Sequence, residues 1–335
     1  MKIDIALAQN YSPREMEALG ALADRHGIAT LWASNAADTR DQIVSLAVMA
    51  RATRNIHLGI TAMSPFEMLP LRISNVLQSL NELSNGRASI LVGGGGTIIG
   101  LIEKPARRVR AVQECIEILK AASAETPLSY KGEIYPIRFY HPHWAVTPAP
   151  KVLAAANRPQ MLRMAARVAD GIMLSDMPPV MLDGVLAAVR DALQAASRPE
   201  KGFELNNFWA FHVKPTKKEA LAEARANLAL RGMLKRHYLE PFLSPADCDL
   251  VTASMPAFFR AFRRQSPNVE GVPDAIMDRL AESLTLAAAV DDLEPRIAQL
   301  KEFEAAGLTH LTLGVHGDPA AAIEIVGERI IPALS

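Results

Sequence analysis

Short apolar runs alternate with longer stretches whose apolar residues recur every three to four positions. The first run, residues 3–9 (IDIALAQ), reads as a strand. Ser12-Pro13 after it supplies an N-cap with proline at the first helical position, and Gly27 stops the helix that follows. A second strand is predicted at 29–33, a helix at 42–52 and a third strand at 56–62 (IHLGITA). The next helix has the clearest period: Ile73, Val76, Leu77, Leu80 and Leu83 share one face, and Asn85-Gly86 ends it. A fourth strand, 88–92 (ASILV), opens into Gly93-Gly94-Gly95-Gly96, with a helix at 106–122 beyond. Further strands are predicted at 151–156, 171–175, 204–213 and 309–315, backed by helices at 159–169, 179–196, 216–232 and 319–331; a helix at 292–306 leads into the last strand. Two stretches break the alternation. Residues 124–150 are rich in Pro and Tyr, with Lys131-Gly132 suited to a hairpin turn, and 233–280 read as a helical insertion.

Eight strand–helix pairs imply a parallel sheet with helical crossovers. Eight units favour closure into a barrel over an open doubly wound sheet, which carries a glycine fingerprint after its first strand. Here that turn is Asn10-Tyr11-Ser12-Pro13, without glycine. The expected class is α/β, a (β/α)8 TIM barrel with insertions at about 124–150 and 233–280. The 335 residues fit one domain over 1–335.

Composition narrows the partners. Lys plus Arg balance Asp plus Glu at 36 each, so no basic excess points to nucleic acid or a membrane surface. No apolar run approaches the roughly 20 residues that span a bilayer. Met1-Lys2-Ile3-Asp4-Ile5 lacks the apolar core of a signal peptide. Cys115 and Cys248 are far apart and belong to no CxxC pair, which argues against disulfides and zinc. A soluble cytoplasmic protein is expected, and no metal site: His141-Pro142-His143 has no nearby carboxylate or cysteine to complete one.

Barrel enzymes build their sites on the loops after the strands. Three such loops carry candidate chemistry. Gly93, Gly94, Gly95 and Gly96 follow a buried strand; glycines let backbone approach a flat ligand closely, although a tight turn also selects them. Ala155-Ala156-Asn157-Arg158-Pro159 opens a helix, whose N-terminus presents free N–H groups and a partial positive charge suited to phosphate. His316 follows the last strand and is a candidate acid–base or substrate group. His212 and His310, within strands, read as core histidines, and Trp32 and Trp209 as core more readily than as pocket lining.

Several ordered segments resemble one family. They are Leu58-Gly59-Ile60-Thr61-Ala62-Met63-Ser64-Pro65, Leu83-Ser84-Asn85-Gly86-Arg87-Ala88, the glycines at 93–96, Tyr130-Lys131-Gly132-Glu133, Ala154-Ala155-Ala156-Asn157-Arg158-Pro159, Ala169-Asp170-Gly171-Ile172, Ala305-Ala306-Gly307-Leu308-Thr309-His310-Leu311 and Ile331-Pro332-Ala333-Leu334. Together they are similar to the bacterial luciferase-like oxidoreductases, especially the F420-dependent reductase and dehydrogenase branch that includes methylene-tetrahydromethanopterin reductase. The resemblance implies coenzyme F420, a deazaflavin, with FMN as the alternative. It further implies a small-molecule substrate, hydride transfer, and a homodimer. It places a non-prolyl cis peptide between Thr61 and Ala62 beneath the cofactor ring, Ser64 near the ring, and the cofactor phosphate at Ala155–Arg158.

The departures matter too. Asn35-Ala36 stand where the glucose-6-phosphate dehydrogenase branch has Asp-His, leaving Asn35 as a substrate-pocket candidate, and Gly96 stands where that branch has a carboxylate. With these acid–base groups missing, the catalytic residue is unassigned. An FMN-dependent monooxygenase and a non-catalytic ligand-binding barrel remain the alternatives.

Overall fold

The structure is a computed structural model that describes residues 1–8, 10–36, 39–95, 99, 109–230 and 234–334. Eight parallel strands close on themselves: β1 (Lys2–Leu7), β2 (Thr30–Ser34), β3 (His57–Met63), β4 (Ala88–Val92), β5 (Lys151–Ala155), β6 (Gly171–Ser175), β7 (Glu204–Lys214) and β8 (His310–Val315). The β8 strand pairs with both β7 and β1, which completes the circle. Helices cross over outside, so the fold is the expected TIM barrel. The local signals act as read: Ser12 and Glu15 form a capping box at helix Pro13–Arg25, and Thr216 and Glu219 another at helix Lys217–Asn227.

One strand escaped the sequence. Thr285–Ala289 pairs in parallel with the far end of β7, from Ala210 to Lys214, on the edge where β6 has already stopped at Phe208. Its sequence, TLAAA, is dominated by the strongest helix former, so local propensity hides it. Tertiary pairing decides otherwise.

The two insertions have different forms. The first holds an antiparallel hairpin, Leu128–Tyr130 with Ile137–Tyr140. Its turn is gripped by the Glu114 carboxylate, which accepts from the backbone N–H groups of Glu133, Ile134 and Tyr135 at 2.8, 2.9 and 2.8 Å. The second is helical, with Arg236–Leu239, Pro245–Ala253, Met255–Arg263 and Asp274–Leu284. Among the described residues, no helix is long and apolar enough to cross a membrane.

Two of the buried apolar clusters shape the barrel. The larger lies between the strands and the outer helices. The smaller fills the barrel: Ala6, Trp32, Leu91, Leu153 and Met173, with Ala155 and Phe208 packed against them. Below this apolar layer is a polar one. Trp32 Nε1 and Asn206 Nδ2 donate to Asp4 Oδ2 at 3.2 and 3.0 Å, and Thr312 Oγ1 donates to Asn206 Oδ1 at 3.0 Å.

Burial, reinforced by the nearby Glu204 charge, pushes the Asp4 carboxyl up to about 7, and burial pushes the His310 imidazole down to about 4. The two act oppositely on stability. Between 3.8 and about 7 folded Asp4 keeps a proton the unfolded chain releases, so its contribution falls as pH rises. Between about 4 and 6.5 folded His310 lacks a proton the unfolded chain holds, so its contribution grows as pH rises. Above that window the Asp4 penalty stands alone. Asp4→Asn keeps an acceptor for Trp32 and Asn206 without charge. Thermal melts are expected to show this variant more stable than its parent at pH 8, with the advantage gone by pH 5. An equal difference at both pH values would contradict the assignment.

Candidate active site

The C-terminal strand ends surround a cavity of about 430 Å³. That volume lies within the usual range for small-molecule and cofactor sites. Its floor is the apolar layer: Ala6, Leu91, Met173 and Phe208. Small residues keep it open, among them Ala8, Ala62, Ala155 and Gly314. Gly314 has no room for a side chain, since an added Cβ would lie 2.2 Å from the Phe208 ring. The rim carries the polar groups Ser34, Thr61, Ser175, Asp176 and His316.

The β3 end has a cis Thr61–Ala62 peptide, and both residues line the cavity. Asn35 braces this segment instead of lining the cavity: its backbone N–H donates to the Thr61 carbonyl at 2.8 Å, and its side-chain amide donates to Glu67 at 2.8 Å and reaches the Ala62 carbonyl at 3.5 Å. Burial pushes the Glu67 carboxyl up, against the Asn35 bond. Ser64 is fully buried, and its hydroxyl accepts from the Phe66 N–H at 3.2 Å.

Gly93 sits between two cavity walls. Its N–H donates to the Met63 carbonyl at 2.9 Å, and an added Cβ would lie 3.3 Å from that of Ala155 and 3.8 Å from that of Ala62. Gly94 is half-buried, and Gly95 has φ +74° with the Ile99 side chain against it, a conformation that favours glycine. Gly96 lies outside the described residues.

After β5, Ala155 lines the cavity and Ala156 is buried. The Asn157 side chain is already engaged: its Oδ1 accepts from Ser175 N at 2.8 Å and its Nδ2 donates to Ser175 O at 3.0 Å, tying the β5 and β6 ends together. Arg158 is exposed at the N-cap of helix Pro159–Val168, which has no side-chain cap bond. An anion here would meet the backbone N–H groups of the first helical turn, with Arg158 free to approach from outside.

Asp176 is a cavity residue not expected from the sequence. It is buried, lines the cavity with φ 53°, donates its N–H to the Phe208 carbonyl at 2.8 Å and accepts from Ser175 Oγ at 2.9 Å. The available signal was a Ser-Asp pair directly after the apolar run GIMLS, because aspartate tolerates the left-handed conformation that such a turn uses. Phe208 and Met173 were equally hidden. Trp209 is fully buried against Phe303, with ring centroids 5.3 Å apart.

A closed βα barrel with an open, apolar-floored cavity ringed by a few polar groups is the architecture of a TIM-barrel enzyme. The chain belongs to the luciferase-like monooxygenase family, whose profile matches residues 2–310. It is 26% identical to the 5,10-methylenetetrahydromethanopterin reductase of Archaeoglobus fulgidus, over 100% of both chains. In fold it is similar to the coenzyme F420-dependent tetrahydromethanopterin reductase of Methanopyrus kandleri, with a TM-score of 0.82, 18% identity and 100% and 99% of the two chains covered. It is also similar to the oxygenating constituent of 3,6-diketocamphane monooxygenase from Pseudomonas putida, solved with FMN, at a TM-score of 0.66, 16% identity and 99% of each chain.

Proposed function

We propose that this protein is an F420-dependent oxidoreductase that transfers a hydride between the deazaflavin and a small organic substrate. The observation that carries the reading is the end-to-end similarity to a methylenetetrahydromethanopterin reductase in a chain that keeps an open cavity over the barrel. The residues present suit the group. The apolar floor offers a face for a planar ring, and the small side chains at Ala62, Gly93 and Ala155 leave backbone within reach of it. Gly94 and Gly95 extend that approach, and the first turn of helix Pro159–Val168, with Arg158, offers the phosphate seat. When bound, the deazaflavin supplies the hydride; the protein binds, orients and excludes water. A cytoplasmic homodimer is the form in which we expect it to work. A purely monomeric sedimentation profile would remove that expectation.

The second reading is an FMN-dependent monooxygenase, supported by the family and by the FMN-containing structural relative. The test is turnover. Reduced F420 is mixed with the protein and a panel of ketones, imines and enones, and protein-dependent reoxidation is expected without oxygen. Oxygen consumption with reduced FMN, and none of that reoxidation, would instead establish the monooxygenase.

A further inference from the structure

His316 follows β8 and lines the cavity. Its ring stacks on His212, with centroids 4.6 Å apart and planes 18° from parallel. His212 lies on β7 and is fully buried, and its Nδ1 is 2.9 Å from Glu223 Oε2. Glu223, on helix Lys217–Asn227, pairs through its other oxygen with Lys214 at 2.7 Å. Burial works against the Glu223 charge, yet the bonds from His212 and Lys214 prevail and hold its carboxyl below the usual range. An anionic carboxylate therefore fixes the His212 ring from behind, and the stacked His212 fixes the plane of His316 at the cavity wall. This chain of contacts crosses the barrel wall from helix to cavity. Among the described residues, Asp176 lines the same cavity and Asp318 lies two residues past His316.

We propose that His316 gives and takes the proton at the substrate, and that Glu223 and His212 are its positioning residues. The proposal rests on the hydride-transfer reading above, with a carbonyl as the probe substrate. When bound, the reduced deazaflavin would supply a hydride and become oxidised as its own C–H bond breaks; a C–H bond would form at the carbonyl carbon and the C=O π pair would move to oxygen. That oxygen takes a proton from a ring nitrogen of His316. Alcohol oxidation reverses each movement. His316 thus fills the acid–base role that Asn35, Ala36 and Gly96 cannot perform.

The test compares the parent with His316→Gln and Glu223→Gln in carbonyl reduction by reduced F420, with cofactor affinity and circular dichroism measured alongside. General acid–base groups contribute roughly 100- to 10,000-fold, so His316→Gln is expected to lose at least about 100-fold in kcat at unchanged fold and a cofactor Kd within about threefold. Glu223→Gln is expected to lose about tenfold in kcat and to displace one limb of the pH–rate profile. A second readout needs no cofactor: histidine NMR titration of the protein alone, in which Glu223→Gln moves the midpoints of both His212 and His316 by about half a pH unit or more. A parent that reduces carbonyls while His316→Gln stays within threefold overturns the proposal alone. Unmoved histidine midpoints in Glu223→Gln overturn the positioning role. A parent that binds no deazaflavin removes the functional reading, and the proposal falls with it.

Discussion

Replacing Ala155 by tryptophan is expected to weaken cofactor binding by at least about 100-fold, or about 2.8 kcal/mol, while the barrel stays folded. Ala155 ends β5, lines the cavity and packs on the apolar layer beneath it. Its Cβ lies 3.3 Å from the position where Gly93 would carry one. An indole here occupies the volume above Leu91 and Met173 that a planar ring requires. Open space lies ahead of the new side chain, so the usual penalty of over-packing a closed core does not apply. Fluorescence quenching by F420 measures the loss, and a melting temperature within a few degrees of the parent confirms the fold. Binding within threefold of the parent would mean that the cofactor lies elsewhere.

Gly59→Ala is expected to cost about 3 kcal/mol of stability. The residue lies on β3 inside the barrel, and an added Cβ would fall 2.1 Å from Cε3 of Trp32. Trp32 is 1% exposed, and its Nε1 is tethered to Asp4, so the ring has nowhere to withdraw. Over-packing costs typically 1–3 kcal/mol, and a fixed aromatic face puts this site at the upper end. The double variant with Trp32→Leu removes the clash. Its destabilisation is expected to fall short of the sum of the single variants by roughly 1 kcal/mol or more in urea unfolding. Strict additivity would show that Gly59 and Trp32 do not press on each other.

Much of the barrel is legible because each strand is a short apolar run followed by an amphipathic helix, and the barrel keeps that order. Thr285–Ala289 is the exception, since alanines carry no strand signal. The interior of the barrel is harder to read. Parallel strands are buried on both faces, so Leu91 and Met173, which face the cavity, look like Ile90 and Ile172, which face the helices. Polar residues inside apolar runs, Asp4, Asn206 and Thr312 among them, mark the inward face, and their value becomes clear once they meet. Of the candidate site, the strand-end segments were visible through resemblance and Asn35 through its departure from it. The bracing role of Asn35 toward Glu67 was not visible, because it depends on two loops meeting in space. The Glu223–His212–His316 contacts are hidden for the same reason: they join a helix, a strand and the loop after another strand, 11 and more residues apart along the chain.

The measurement that bears most directly on the central claim is a pair of titrations of the purified protein, one with F420 and one with FMN, each followed by fluorescence quenching. Saturable F420 binding in the micromolar range, at least tenfold tighter than FMN and lost in Ala155→Trp, is the expected result. Preference for FMN would turn the account toward oxygen chemistry, and binding of neither would contradict the cofactor assignment.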